Sequence, residues 1–478
     1  MTFIVIPILL LIILCVYFFL DSRVSTLKDA TLEAGSEKET LVDAEGSILA
    51  EDALRTEGNM ITEAAVGQED SSVAQAVTEP EDSSDTEAAV ELEDSSITQE
   101  ELGYGIDEKA ETNITLVMVG DILLHDRVEK SAKTEEGFDF SPIFDSIREE
   151  VQGADLALVN QEVIIGGEEL GISGYPAFNA PYSIGDELVE TGFDVILHGT
   201  NHALDKGEKG IMNCLGFWEE HYPEISVVGI HDSYEDQASI EYVDVEGIRL
   251  GILNYTYGTN GIQTPEGKAY LVDYLTEERV ANDLQEAEAT ADFTIVCPHW
   301  GTEYELGVTA SQKKWTNIFY ENGADLVIGT HPHVIEPIGW IGRDNHSQDE
   351  ECKEADIAGD QGAEDNLYRN PDGMLVYYSL GNCVNWTSGE GAGVSNRMVG
   401  GMAKVTLTKC DEKTYISEYG ITPIVSHVTS GEGGVSVRYL HDYSEEMAME
   451  NEIRSQDSSF SYAYLVNLCD EIWGELWD

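Results

Sequence analysis

The sequence predicts an α/β fold built on a largely parallel sheet, and three features beyond about Asn113 predict it. Helix-like segments alternate with short apolar runs, a glycine or alanine and an aspartate recur between them, and each run ends in a polar group. Gly153-Ala154-Asp155 leads Leu156–Val159 into Asn160, and Gly192-Phe193-Asp194 leads Val195–Leu197 into His198. Ala291-Asp292-Phe293 leads Thr294–Cys297 into His299, and Gly323-Ala324-Asp325 leads Leu326–Ile328 into His331. Glycine after a helix suits the left-handed C-terminal cap. Continuous apolar runs suit strands covered on both faces, and their alternation with helices implies crossover connections.

Taken in order, further strands are expected at Ile114–Val119, Ser226–Val228, Arg249–Tyr255 and Met374–Tyr378. Helices are expected at Pro142–Val151, Gly207–His221, Glu277–Thr290 and Gln312–Asn322, the last with Ser311 as N-cap. The polar, acidic stretch Arg343–Pro371 reads as an exposed insertion. The folded domain is therefore placed at residues 113–440, with a C-terminal helical extension at 441–478.

What precedes it is different. Phe3–Leu20 is an uncharged run of 18 residues with no small-x-small cleavage signal after it, so residues 1–20 read as an uncleaved transmembrane anchor. The expected placement is single-pass in the cell membrane with the large domain extracytoplasmic. Arg23 and Lys28 follow the run, and the positive-inside rule taken alone favours the opposite topology. Residues 21–112 repeat Glu-Asp-Ser-Ser at 69–72, 81–84 and 93–96 and contain almost no aromatics. Such a stretch cannot bury enough surface to offset its chain entropy and is expected to be a disordered acidic linker. A polyanionic binding tail is the alternative.

A formal net charge of −67 excludes nucleic acid as a partner, since every approach begins against repulsion. The seven cysteines show no C-x-x-C pair or zinc spacing, and their odd number argues against a complete disulfide framework.

In an α/β sheet, ligands gather outside the carboxyl ends of the strands. The unusual polar residues fall there: Asp121 and His125 after the first run, Asn160 and Glu162 after the second, His198, Asn201, His202 and Asp205 after the third. Later runs end in His299 and Glu303, in His331-Pro332-His333, and in Asn382, with His427 the weakest member of the set. Imidazoles with carboxylates suit Mn, Fe or Zn, in one or two ions. Each piece has a plainer reading. Gly120-Asp121 can be a turn, Asn201-His202 a turn and cap, and His299 a packed core histidine. Alternating histidines on one strand end point apart unless the chain bends, and Pro332 supplies a bend.

These blocks (Asp121 after glycine, Asn160-Gln161-Glu162, Asn201-His202-Ala203-Leu204-Asp205, His299 to Tyr304, Gly323 to His333, and Tyr378 to Asn382) resemble the capsule-synthesis CapA family over roughly Thr115 to His427. The resemblance implies a four-layer α/β/β/α sandwich of the calcineurin-like metallophosphatase type. It implies Asp121 and His333 on a first metal, Asn201, His299 and His331 on a second, and His202 as general acid. The bridging aspartate of that superfamily has no counterpart here, and Glu162 is the nearest substitute. The histidine usual two residues after the first aspartate is replaced by Ile122-Leu123-Leu124 before His125, so a one-metal or metal-free site stays open. The implied role is synthesis or attachment of poly-γ-glutamate capsule, with capsule-polymer synthesis subunits as partners. The alternatives are a metal-dependent phosphoesterase outside capsule synthesis, or a non-catalytic wall-facing assembly component.

Overall fold

The computed structural model describes residues 111–342, 373–411, 413–430 and 434–477. The expected anchor, most of the expected linker and the insertion at Arg343–Pro371 lie outside the described residues. Among the described residues, no helix is long and apolar enough to cross a membrane.

The strands, in chain order, are β1 Glu111–Ile122, β2 Leu156–Asn160, β3 Val195–Leu197, β4 Ser226–Val228, β5 Glu241–Val245, β6 Ile248–Thr256 and β7 Phe293–His299. They continue as β8 Leu326–Ile328, β9 Ile338–Ile341, β10 Met374–Tyr377, β11 Asn382–Val384, β12 Val399–Cys410, β13 Lys413–Thr429 and β14 Gly434–Tyr439. Two sheets form, in the orders β14-β13-β12-β1-β2-β3-β4, with β11 also pairing β1, and β5-β6-β7-β8-β10-β9. β1 to β4 are mutually parallel, as are β6, β7, β8 and β10. β12 to β14 form an antiparallel meander, so the first sheet is less parallel than expected: its long C-terminal strands follow one another with no helix between.

Alternation along the second sheet explains the layering. Ile295, Cys297, Leu326, Ile328, Leu375 and Tyr377 join the large core shared with the first sheet, where Cys297 Sγ lies 4.0 Å from Met118 Sδ. Their neighbours Val296, Val327, Met374 and Val376 turn the other way, onto Val280, Leu284 and Phe319 of the helices Glu277–Glu288 and Ala310–Glu321. On the first sheet's side, helices Tyr182–Thr191 and Gly207–His221 add Ile184, Leu188, Ile211 and Cys214 to the shared core. The result is a mixed α/β sandwich.

Local corrections have local causes. β1 begins at Glu111 rather than at Ile114, because Glu111, Thr112 and Asn113 already pair with Cys410, Lys409 and Thr408. The helix expected at Pro142–Val151 is split into Ser141–Phe144 and Arg148–Gly153. The N-cap of the later helix is Thr309, not Ser311: the Thr309 hydroxyl accepts from the Gln312 amide while the Gln312 side chain returns to the Thr309 backbone, a capping box.

The C-terminal helices Glu445–Glu450 and Tyr462–Trp473 bury Ala448, Leu465, Leu468, Cys469 and Trp473 in the same core. Trp473 Nε1 donates to the carbonyl of Glu336 at 3.0 Å. Glu336 is itself fully buried, with one carboxyl oxygen taking the Gln312 amide and the other without a partner. Burial pushes its carboxyl up to about 8. The folded state therefore binds more protons than the unfolded chain above the ordinary glutamate range, and stability is lost as pH rises through 8. Glu336→Gln keeps the acceptor for Gln312 and removes the titration. Its melting temperature should exceed the parent's by a few degrees at pH 9 and by little at pH 5. A constant difference across that range would refute the assignment.

Candidate metal centre

The carboxyl ends of the parallel strands in both sheets converge on one pocket, and local backbone features aim its side chains. In β1 the register shifts between Val119 and Asp121, a bulge that redirects Asp121. Gly120 lies so close to the backbone of Gly381 that an added Cβ would stand 1.9 Å from its carbonyl oxygen, so only glycine admits this approach. It brings β1 against β11, where Asp121 pairs with Asn382. Gly120-Asp121, for which a plain turn is the alternative sequence reading, is thus a bulged strand end. Pro332 is not the sole source of the bend between the two histidines, since His331 and His333 themselves adopt φ of +96° and +57°. That conformation is costly for side chains other than glycine and recurs at functional sites. It lets both imidazoles reach the same pocket, their ring centroids 5.7 Å apart.

Glu162 sits at the middle. Its side chain is fully buried and neither carboxyl oxygen has a hydrogen-bond partner. Oε1 lies 3.6 Å from His333 Nε2, 3.8 Å from His299 Nε2 and 3.9 Å from His202 Nε2. On one side, Asp121 accepts from Asn160 Nδ2 at 2.8 Å and faces His333 Nδ1 at 3.1 Å. Asn382 Oδ1 lies 3.1 Å from the same His333 nitrogen, and Asn382 Nδ2 donates to the His333 carbonyl. On the other side, His299 Nε2 is 3.0 Å from Asn201 Oδ1 and its Nδ1 is 3.0 Å from Thr330 Oγ1. His331 packs 4.8 Å from His299, with Nδ1 buried and unpartnered. His202 is held at Nδ1 by Asp205 at 2.7 Å and by the edge of Phe178.

Three overlapping sets of ligand atoms fall within 4.8 Å of one another: Asp121, Glu162 and His333; Glu162, His299 and His331; and Glu303, His331 and His333. Glu162 belongs to the first two. The electrostatics follow from this crowding. Burial, with Asp121, Glu303 and Asp205 nearby, pushes the Glu162 carboxyl well up against the pull of His333. Burial first, then the neighbouring imidazoles, holds His299 and His331 well below the usual histidine range. They are neutral and offer lone pairs. His333 is also opposed by burial, but Glu162 and Asp121 push it up to about 10.

The structure thus brings together Asp121, Glu162, Asn201, His202, His299, His331 and His333, with Asn160, Asp205, Glu303 and Asn382 beside them. His125 stands at the margin, 5.5 Å from Phe178 and pushed down to about 3 by burial and by His333 and His202. His198 and His427 are elsewhere. His198 contacts Cys214, and His427, on β13, bonds Tyr443. The sequence reading missed Tyr257, 4.6 Å from His331, Tyr304, 6.1 Å from His333, and Arg397. Tyr304 ends a quoted motif block, but nothing in the sequence around Arg397 marks it.

Residues 115–387, more than half of the chain, match the family model described as Bacterial capsule synthesis protein PGA_cap. The chain is 26% identical over 239 residues to the capsule biosynthesis protein CapA of Bacillus anthracis, covering 48% of this chain and 57% of that protein. It is 30% identical over 211 residues to the PGA biosynthesis protein CapA of Bacillus subtilis (strain 168), covering 42% of this chain and 45% of that protein. It spans about half the length of the curated relatives it matches. Among solved structures, the calcineurin-like phosphoesterase YfkN from Bacillus subtilis superposes with a TM-score of 0.36 at 13% identity, covering 75% of this chain and 100% of that one. A likeness at that TM-score adds nothing to the functional case. The family match stands without it: the chain belongs to the bacterial capsule synthesis protein family PGA_cap.

Proposed function

We propose that this protein acts in making or attaching a poly-γ-glutamate capsule, and that its centre is a divalent-metal site of the metallophosphatase type that handles phosphoryl groups. Family membership and the name of the Bacillus subtilis relative support the process. The observation that carries the site is Glu162, a carboxylate removed from water with both oxygens orphaned and three imidazole nitrogens within 3.9 Å. Such a group is costly unless a cation satisfies it. Asp121, Glu162 and His333 would hold one ion, and Glu162, His299, His331 and Asn201 the other. Mixed nitrogen and oxygen donors favour Mn, Fe or Zn. The two sheets with helices outside them fit a four-layer sandwich. Ions held there would supply an activated water and a clamp on a phosphoryl group.

The protein's own residues supply the rest. Asp205 orients His202, whose Nε2 points toward the Glu162 side of the pocket, where it can deliver a proton to a leaving oxygen. Burial of the ligands excludes bulk water. The proposal includes single-pass anchorage through Phe3–Leu20, an extracytoplasmic domain and capsule-polymer synthesis subunits as partners. The net charge of −67 suits a cation-rich exterior.

Metal analysis tests it. The full chain, purified in detergent and reconstituted with Mn, Fe or Zn, should hold one to two equivalents and hydrolyse an aryl phosphate. Failure to retain any of these metals above the level of a buffer blank would remove the basis of the reading.

A further inference from the structure

Arg397 carries a guanidinium that no carboxylate among the described residues neutralises. The chain carries 92 acidic residues against 25 basic ones, and Arg148, Arg249 and Arg279 each pair with a carboxylate. Among the described residues no carboxylate pairs with Arg397, nor with Arg127, Arg438 or Arg454, and of these four only Arg397 has a buried nitrogen without a partner. Its guanidinium lies over the ring of Tyr304, 3.5 Å from the centroid, and NH1 makes one long hydrogen bond to Thr387 Oγ1 at 3.4 Å. Nε is buried with no acceptor. A buried donor left unpaired costs stability, which a ligand would recover.

The mount is hydrogen-bonded to the proposed metal site. The carbonyl of Arg397 accepts from Asn382 Nδ2 at 2.9 Å and from Asn385 Nδ2 at 3.2 Å. Asn382 is the residue whose Oδ1 faces His333. The platform is tied to it as well: the Tyr304 amide donates to the Pro332 carbonyl, between the two histidines, and its ring is 6.1 Å from His333. Tyr304 adopts φ +69° and is 38% exposed, so the stack lies at the mouth of the pocket. Gly389 leaves room beside the guanidinium, since a Cβ there would stand 3.0 Å from NH1.

We propose that Arg397, its guanidinium over the Tyr304 ring, is a specificity-determining residue that binds an oxyanion of the substrate beside the metal-held group. A guanidinium fork recognises carboxylate or phosphate in two parallel bonds. The oxyanion is either a carboxylate of an acidic chain or a second phosphoryl oxygen. This rests on the proposed metal site for the placement of the substrate, not for the existence of the anion contact.

The test is equilibrium binding to the full chain in detergent with Mn²⁺, using a γ-linked glutamate hexamer in one arm and inorganic phosphate in the other. Arg397→Gln should weaken the responsible ligand at least tenfold, and Arg397→Lys severalfold, because lysine keeps the charge and loses the fork. Mn²⁺ stoichiometry should not change in either. A loss confined to the hexamer assigns a carboxylate, and a loss in the phosphate arm assigns a phosphoryl group. Should Arg397→Gln fail to fold, Tyr304→Leu removes the platform and should weaken the same arm. Parent-like affinity for both ligands in the folded variants, or no binding of either by the parent, would overturn the assignment. Failure of the metal reading shows separately, as absent Mn²⁺ in the parent.

Discussion

Glu162→Gln should abolish the stabilisation by metal and make the metal-free protein more stable. In chelator, the variant should melt several degrees above the parent. With Mn²⁺ in excess, the parent's melting temperature should rise and the variant's should stay where it was. The parent's buried carboxyl has no hydrogen-bond partner, and burial among Asp121, Glu303 and Asp205 pushes it well above the usual carboxylate range. The folded metal-free state holds a proton there that the unfolded chain gives up, so stability falls as pH rises through the raised value. An amide of the same shape removes that dependence, worth about 1–3 kcal/mol for a buried polar group of this kind. The amide would also be a weaker ligand for a cation than the carboxylate. A ligand at a hundred times its dissociation constant stabilises by about 2.7 kcal/mol, and the variant forfeits most of it. Calorimetry with and without chelator reads both effects. Equal metal-induced shifts in parent and variant would show that Glu162 is not at the ion.

The parts of this site that were legible in the sequence share a cause. Asn160, His299 and His331 follow short apolar runs, and a run long enough to be a strand fixes where its carboxyl end lies. Topology then does the gathering: β1 to β3 and β7 to β8 are parallel, so their ends meet. The helix boundaries were less legible, because Thr309 caps through a hydroxyl and a returning glutamine that Ser311 mimics by position alone. The antiparallel meander of β12 to β14 was missed, as strands without intervening helices leave no alternation to read. Arg397 was illegible for a stronger reason. It sits in the 3₁₀ turn Val394–Met398, and its relation to His333 runs through Asn382 and Tyr304, contacts that no spacing in the chain encodes.

His202 bears the largest expected catalytic effect. His202→Ala should lower kcat for an aryl phosphate by about 10²–10⁴, the range for a positioned general acid, and leave metal content at the parent's level. The ligand sets nearest one another do not include His202, whose Nε2 stands 3.9 Å from Glu162 and whose Nδ1 is taken by Asp205. The pair separates two roles that a single substitution would confuse. Asp205→Asn keeps an oxygen that can accept from the Phe178 amide, now 2.8 Å from the carboxylate, so the loop should stay in place. It withdraws the negative charge that faces His202 Nδ1. The loss should therefore fall on kcat rather than KM, and should shrink for substrates with better leaving groups, which need less help from an acid. A His202→Ala variant that loses its metal instead would make His202 a ligand, and an unchanged kcat at full metal content would end the proposal that this imidazole delivers the proton.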